Sequence, residues 1–195
     1  MKKNTALDLF LETGLRHLYT AEKATLENLS TLAEKSVDSE LRKCFLSHQR
    51  ETEKQIQRLE KIFQRLDIDV KGSKLQGLPG ITEKGKELLK TMIDLNFTDR
   101  SKGIEGILNE GKELLRHFAK TDANDIALIS AGQKVEHYEI ACYNSLCALA
   151  DFYDENKILD LLTESLDEEL AMEERLSNLV EGEFLNSEIN MAPIP

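Results

Sequence analysis

Apolar residues recur along this chain in steps of three and four over four long stretches, the period of an α-helix with one buried face. From about Thr5 to Lys35 the stripe is Leu11, Leu15, Leu18, Glu22, Leu26, Leu29, Leu32. From about Glu40 to Leu66 it is Leu41, Phe45, His48, Thr52, Gln55, Leu59, Ile62, Leu66. A third stripe, from about Asp122 to Tyr153, reads Ile126, Ile129, Gln133, Glu136, Ile140, Tyr143, Cys147, Ala150. The fourth, from about Glu155 to Glu181, reads Leu159, Leu162, Leu166, Glu169, Glu173, Leu176, Val180. Val37-Asp38-Ser39 supplies a short turn and a cap between the first two helices. The last two are joined as tightly, so each pair predicts an antiparallel hairpin and the fold class is all-α.

Between the second and third helices lie about 55 residues, long enough for the third helix to start again at the far end of the bundle. That is the connectivity of a ferritin-like four-helix bundle with one long crossover. The crossover carries two amphipathic pieces, at about 81–96 and 104–119, predicted as extra short helices. They look duplicated: residues 77–90 and 103–116 share eight of fourteen positions, including Gly77/Gly103, Gly80/Gly106 and Gly85/Gly111. Both are expected outside or at the end of the bundle, with Glu110 the one residue there that could reach a site. Residues 1–181 then form one helical domain and 182–195 a flexible tail.

The polar residues inside the stripes are the candidate chemistry. Glu22, His48, Glu136, Glu169 and Glu173 stand where Leu would otherwise face the core, and Glu51 and Glu139 lie one turn beyond His48 and Glu136 on the same face. Reflecting each hairpin about its turn sets Glu22 opposite about residue 52, Glu136 opposite about 172 and Glu139 opposite about 169. Each hairpin therefore brings its acids to one height. Six carboxylates in a helical core are costly, and neighbouring like charges raise one another's pKa, unless cations sit between them. Two divalent metals supply that charge. The expected ligands are Glu22, His48, Glu51, Glu136, Glu139, Glu169 and Glu173, a mainly hard-oxygen set with one nitrogen that suits iron or manganese, with zinc also compatible.

Composition narrows the partners. The 195 residues are 41% hydrophobic and carry a net charge of -11, which opposes nucleic-acid phosphates and anionic membrane surfaces. No run of about 18 apolar residues could span a bilayer. Asp8 and Glu12 break the apolar run that follows Met1-Lys2-Lys3, so no signal peptide is expected. Cys44, Cys142 and Cys147 have no metal-site spacing and read as reduced thiols of a cytoplasmic protein. His137 is expected at a helix boundary, Tyr143 as a core tyrosine with a bonded hydroxyl, and His17 and His117 at the surface. No phosphate loop or Ser/His/Asp arrangement is visible.

Four segments carry a resemblance: Leu18-Tyr-Thr-Ala-Glu-Lys23, His48-Gln-Arg-Glu-Thr-Glu53, Gln133-Lys-Val-Glu-His-Tyr-Glu-Ile-Ala141 and Leu166-Asp-Glu-Glu-Leu-Ala-Met-Glu-Glu-Arg-Leu176. They resemble the signature segments of the YciE/YciF-like bacterial stress proteins, over about residues 5–180. The resemblance implies a ferritin-like bundle, a homodimer and a dinuclear metal site. It implies iron oxidation or peroxide handling, with a non-enzymatic helical stress or scaffold protein as the alternative. The chain departs from that pattern at Thr20, where the family has an acid, and residues 72–97 are extra relative to it. Where ferritin-like di-iron proteins often carry Glu-x-x-His, this chain has His48-x-x-Glu51 and Glu136-x-x-Glu139. It lacks a cysteine-rich electron-transfer domain, so redox turnover would draw on an external reductant.

Overall fold

The computed structural model describes residues 5–70 and 101–190, with side chains from 6 to 182 within those spans. Five helices fill them: α1 (Thr5–Lys35), α2 (Ser39–Leu66), α3 (Lys102–Phe118), α4 (Asn124–Phe152) and α5 (Asn156–Asn190). The first of the two crossover pieces lies outside the described residues; the second is α3. Helix α5 runs past Glu181, where the apolar period stops, because Gly182 alone does not end a helix and no proline follows until Pro193.

The turns are built as their residues dictate. Asp38 caps α2, its carboxylate accepting from the backbone N–H of Glu40 and Leu41 at 2.8 and 2.7 Å. Asp67 closes the same helix in the left-handed region at φ 55°. Asp125, at the start of α4, accepts from the N–H groups of Val37 and Asp38, while Asn124 donates to the Lys35 carbonyl. These bonds lock the α1–α2 turn to the head of α4.

Contacts set the helix directions. Arg42 meets Ala33 near the turn and Glu60 meets Tyr19 farther along, so α1 and α2 are antiparallel. Gln133 meets Ser177 and Cys147 approaches Thr163, so α4 and α5 are antiparallel. Tyr153 bonds Asp8 while Thr25 bonds Glu139, so α1 and α4 are antiparallel too. Helices α2 and α4 therefore run the same way, and the chain between them must return the length of the bundle, which is what the long crossover does.

The core is split in two. One apolar half gathers Leu15, Leu59, Phe63, Leu146 and Leu162, and the other gathers Leu29, Leu41, Phe45, Leu128 and Leu176. The acidic stripe positions fall between these halves. Helix α3 lies on the outside of α4, where Ile104 packs with Ala21 and Val135. Its glycines permit that approach: a Cβ on Gly111 would sit 3.2 Å from the Ala131 Cβ. Glu110 points outward and pairs with Lys134 at 2.6 Å, away from the buried acids. Among the described residues, no helix is long and apolar enough to cross a membrane.

Candidate metal centre

Helices α1, α2, α4 and α5 each send at least one ionisable side chain into the gap between the apolar halves. Glu22, His48, Glu136, Glu139 and Glu169 are all at most 1% exposed. His48, Glu136, Glu139 and Glu169 each offer a ligand atom, and those atoms lie within 4.8 Å of one another. The His48 Nε2 atom is 3.4 Å from Glu136 Oε1 and 3.7 Å from Glu169 Oε2. These close approaches are not hydrogen bonds in geometry. His48 Nε2, Glu136 Oε2, Glu139 Oε2 and both Glu169 oxygens are buried without a partner among the described residues. Buried polar atoms are rarely left so. Donors of this kind, converging on one point, fit a divalent cation.

Glu22 lies one layer along. Thr25 bonds Glu139, while Glu22, three residues earlier on α1, bonds Tyr143, four residues later on α4. Glu22 Oε1 accepts from the Tyr143 hydroxyl at 2.5 Å, while its Oε2 has no partner among the described residues. Gln55 is fully buried, and neither of its amide atoms finds a partner among those residues. The Thr25 hydroxyl donates to Glu139 Oε1 at 2.9 Å.

The two remaining expected ligands stand at the rim. Glu51 takes the other face of His48, its Oε2 lying 3.3 Å from Nδ1, and is paired to Arg175 of α5 at 2.9 Å. Glu173 accepts from the Ser177 hydroxyl at 2.7 Å and lies 3.8 Å from the Nε2 of the exposed His137. Tyr143 is the core tyrosine with a bonded hydroxyl that its stripe position suggests. Thr25, Arg175 and Gln55 were not expected to matter. Thr25 and Gln55 carry a usable signal, each lying on the face of a ligand candidate at helical spacing. Arg175 carries none, since its role depends on a different helix.

The electrostatics follow from burial without charge. Loss of solvent is the largest cause at all four inner carboxyls and pushes each upward. Glu136 is pushed to about 8, with Glu139 and Glu22 adding repulsion. The close approach of Glu136 and Glu169 acts in opposite senses, lowering the first and raising the second. Burial pulls the His48 imidazole down, but the Glu51 bond and the charges of Glu169 and Glu139 outweigh it and leave it raised. Glu51 is held down to about 2, first by the His48 bond and then by Arg175.

Residues 5–98 and 91–189 match the family model described as Domain of unknown function (DUF892). Protein YciF of Escherichia coli K12 is 31% identical over 180 residues, spanning 92% of each chain. The crystal structure described as the E. coli stress protein YciF matches with a TM-score of 0.72 and 28% identity, over 98% of this chain and all of that one. YcfI from Rhodopseudomonas palustris matches with a TM-score of 0.69 and 30% identity, over 88% of this chain and 92% of that one.

Proposed function

The chain belongs to the DUF892 family, and on that premise we propose that it is a ferritin-like dinuclear metal protein, with iron the metal its donors suit best. The observation that carries the reading is the unpartnered His48 Nε2, buried and aimed at Glu136 and Glu169 within a group of converging donor atoms. A core histidine retained only for packing would be expected to find a partner for both nitrogens. Among the described residues no protein atom partners its Nε2, which supports a metal-ligand role.

Charge supports the count. Glu22, Glu136, Glu139 and Glu169 are the four buried carboxyls of the centre, and two divalent ions match them charge for charge. His48, Glu136, Glu139 and Glu169 would form the inner set, with Glu22 terminal or bridging from the next layer. Glu51 and Glu173 would stand at the rim. Thr25 and Tyr143 hold Glu139 and Glu22 by one oxygen each and leave the other oxygen free to face a metal. The apolar halves above and below exclude water from the centre.

Iron bound there would supply one-electron chemistry toward dioxygen or peroxide, so the activity we infer is ferrous oxidation or peroxide consumption. The relative YciF is described as a stress protein, and a role in oxidative stress follows that likeness. A homodimer in the cytoplasm, drawing on an external reductant, completes the reading.

The test is metal content per chain by mass spectrometry, on protein purified without chelator or affinity nickel. About two iron or manganese ions per chain are expected, with loss of stoichiometric metal in Glu22→Ala and Glu136→Ala. Full occupancy in both variants would overturn the assignment. A metal-free protein that gains no thermal stability from ferrous or manganous ion would favour a helical scaffold instead.

A further inference from the structure

His48 has two ring nitrogens with opposite surroundings. Nε2 faces Glu136 and Glu169 without a hydrogen bond. Nδ1 lies 3.3 Å from Glu51 Oε2, one helical turn along α2. Glu51 does not reach into the centre from there. Arg175 of α5 grips both its oxygens, with NH2 donating to Oε2 at 2.9 Å and NH1 to Oε1 at 3.5 Å. The Glu51 side chain is 21% exposed, while His48 is fully buried. A line of contacts therefore runs from the surface inward: Arg175 on α5, Glu51 on α2, then the imidazole.

We infer that Glu51 is a positioning residue rather than a metal ligand, and that Arg175 and Glu51 together orient His48 for metal binding. The inference rests on the metal reading given above. A neutral imidazole binds metal through the nitrogen that carries no proton, and the bond made by the other nitrogen decides which one that is. A carboxylate on Nδ1 keeps the proton there and turns the Nε2 lone pair inward, to the side where Glu136 and Glu169 wait. The same bond fixes the ring plane. Glu51 can do this only while its own orientation is fixed, and Arg175 supplies that from a second helix. A ligand role for Glu51 would require it to leave the guanidinium and the imidazole together.

The experiment uses the full chain, zinc as a diamagnetic probe, and the variants Glu51→Gln, Arg175→Met and Arg175→Lys. Zinc stoichiometry and affinity come from titration calorimetry. Long-range proton–nitrogen spectra of the His48 ring give its tautomer. Wild type should show the proton on Nδ1 and zinc on Nε2. Glu51→Gln should keep the wild-type stoichiometry and bind about 10- to 100-fold more weakly, the usual cost of a lost orienting partner. Arg175→Met should weaken binding in the same sense, and Arg175→Lys should recover part of it. Loss of one equivalent of zinc in Glu51→Gln would make Glu51 a ligand, and a proton on Nε2 of wild type would reverse the proposed orientation. Either result overturns this inference and leaves the metal reading standing. A wild type that binds no zinc, manganese or iron overturns both.

Discussion

Replacing Glu136 by glutamine should stabilise the metal-free protein while removing metal binding. The Glu136 carboxyl is fully buried, and its pKa is pushed from the ordinary 4.5 to about 8, first by loss of solvent and then by Glu139 and Glu22. Between those two values the folded chain keeps a proton that the unfolded chain has released. The unfolded state then binds fewer protons, so stability falls as pH rises, by about 1.4 kcal/mol per pH unit for this one group. From pH 4.5 to 7 the loss is about 3 kcal/mol, and it ends near pH 8, where the folded-state carboxyl ionises as well. Glutamine has a similar shape and does not titrate. Urea unfolding in chelator across pH 4.5 to 8 should give a shallower decline for Glu136→Gln, and the variant should overtake wild type toward neutral pH. Excess manganese should reverse the order, because metal displaces the proton only from a carboxyl that can lose it. Parallel stability curves in chelator, or a wild type that gains stability from pH 5 to 8, would refute the electrostatic account of the centre.

Tyr143→Phe removes the donor to Glu22 Oε1 and leaves a buried carboxyl without that bond. It should cost about 1–3 kcal/mol in chelator by denaturant unfolding, and a change under about 0.5 kcal/mol would mean that the bond adds nothing. At the α3–α4 contact, Gly111→Leu would push a longer side chain against Ala131, where even a Cβ comes to 3.2 Å. Thermal melts should show it destabilised by about 1–3 kcal/mol. Gly106→Ala is the control: its Cβ meets nothing within 4 Å, so it should gain about 0.5–1 kcal/mol from helix propensity alone. Equal effects at the two glycines would show that α3 does not pack as described.

Most of the architecture was legible along the chain because helix periodicity is local. The stripe from Leu11 to Leu32 predicts α1 at its observed bounds, and the other three long helices begin within about two residues of expectation. Glu22, His48, Glu136 and Glu169 were legible because they interrupt apolar stripes, and Glu139 because it lies one turn beyond Glu136; Glu173 interrupts its stripe too, yet stands at the rim. The sequence also determined the long crossover, but it left Glu110 open, and only the pairing with Lys134 places that residue outside the centre. What it left open was everything that depends on two helices meeting. Glu51 and Glu173 share a helix face with their neighbours, yet Glu51 turns to Arg175 and Glu173 to Ser177. The partner of Glu22 is likewise set across helices, by its bond to Tyr143 of α4. Periodicity states which way a residue faces along its own axis. Which atom it meets there, and whether that leaves a lone pair free for metal, is decided by partners more than a hundred residues away, such as Glu139 for Thr25 and Arg175 for Glu51.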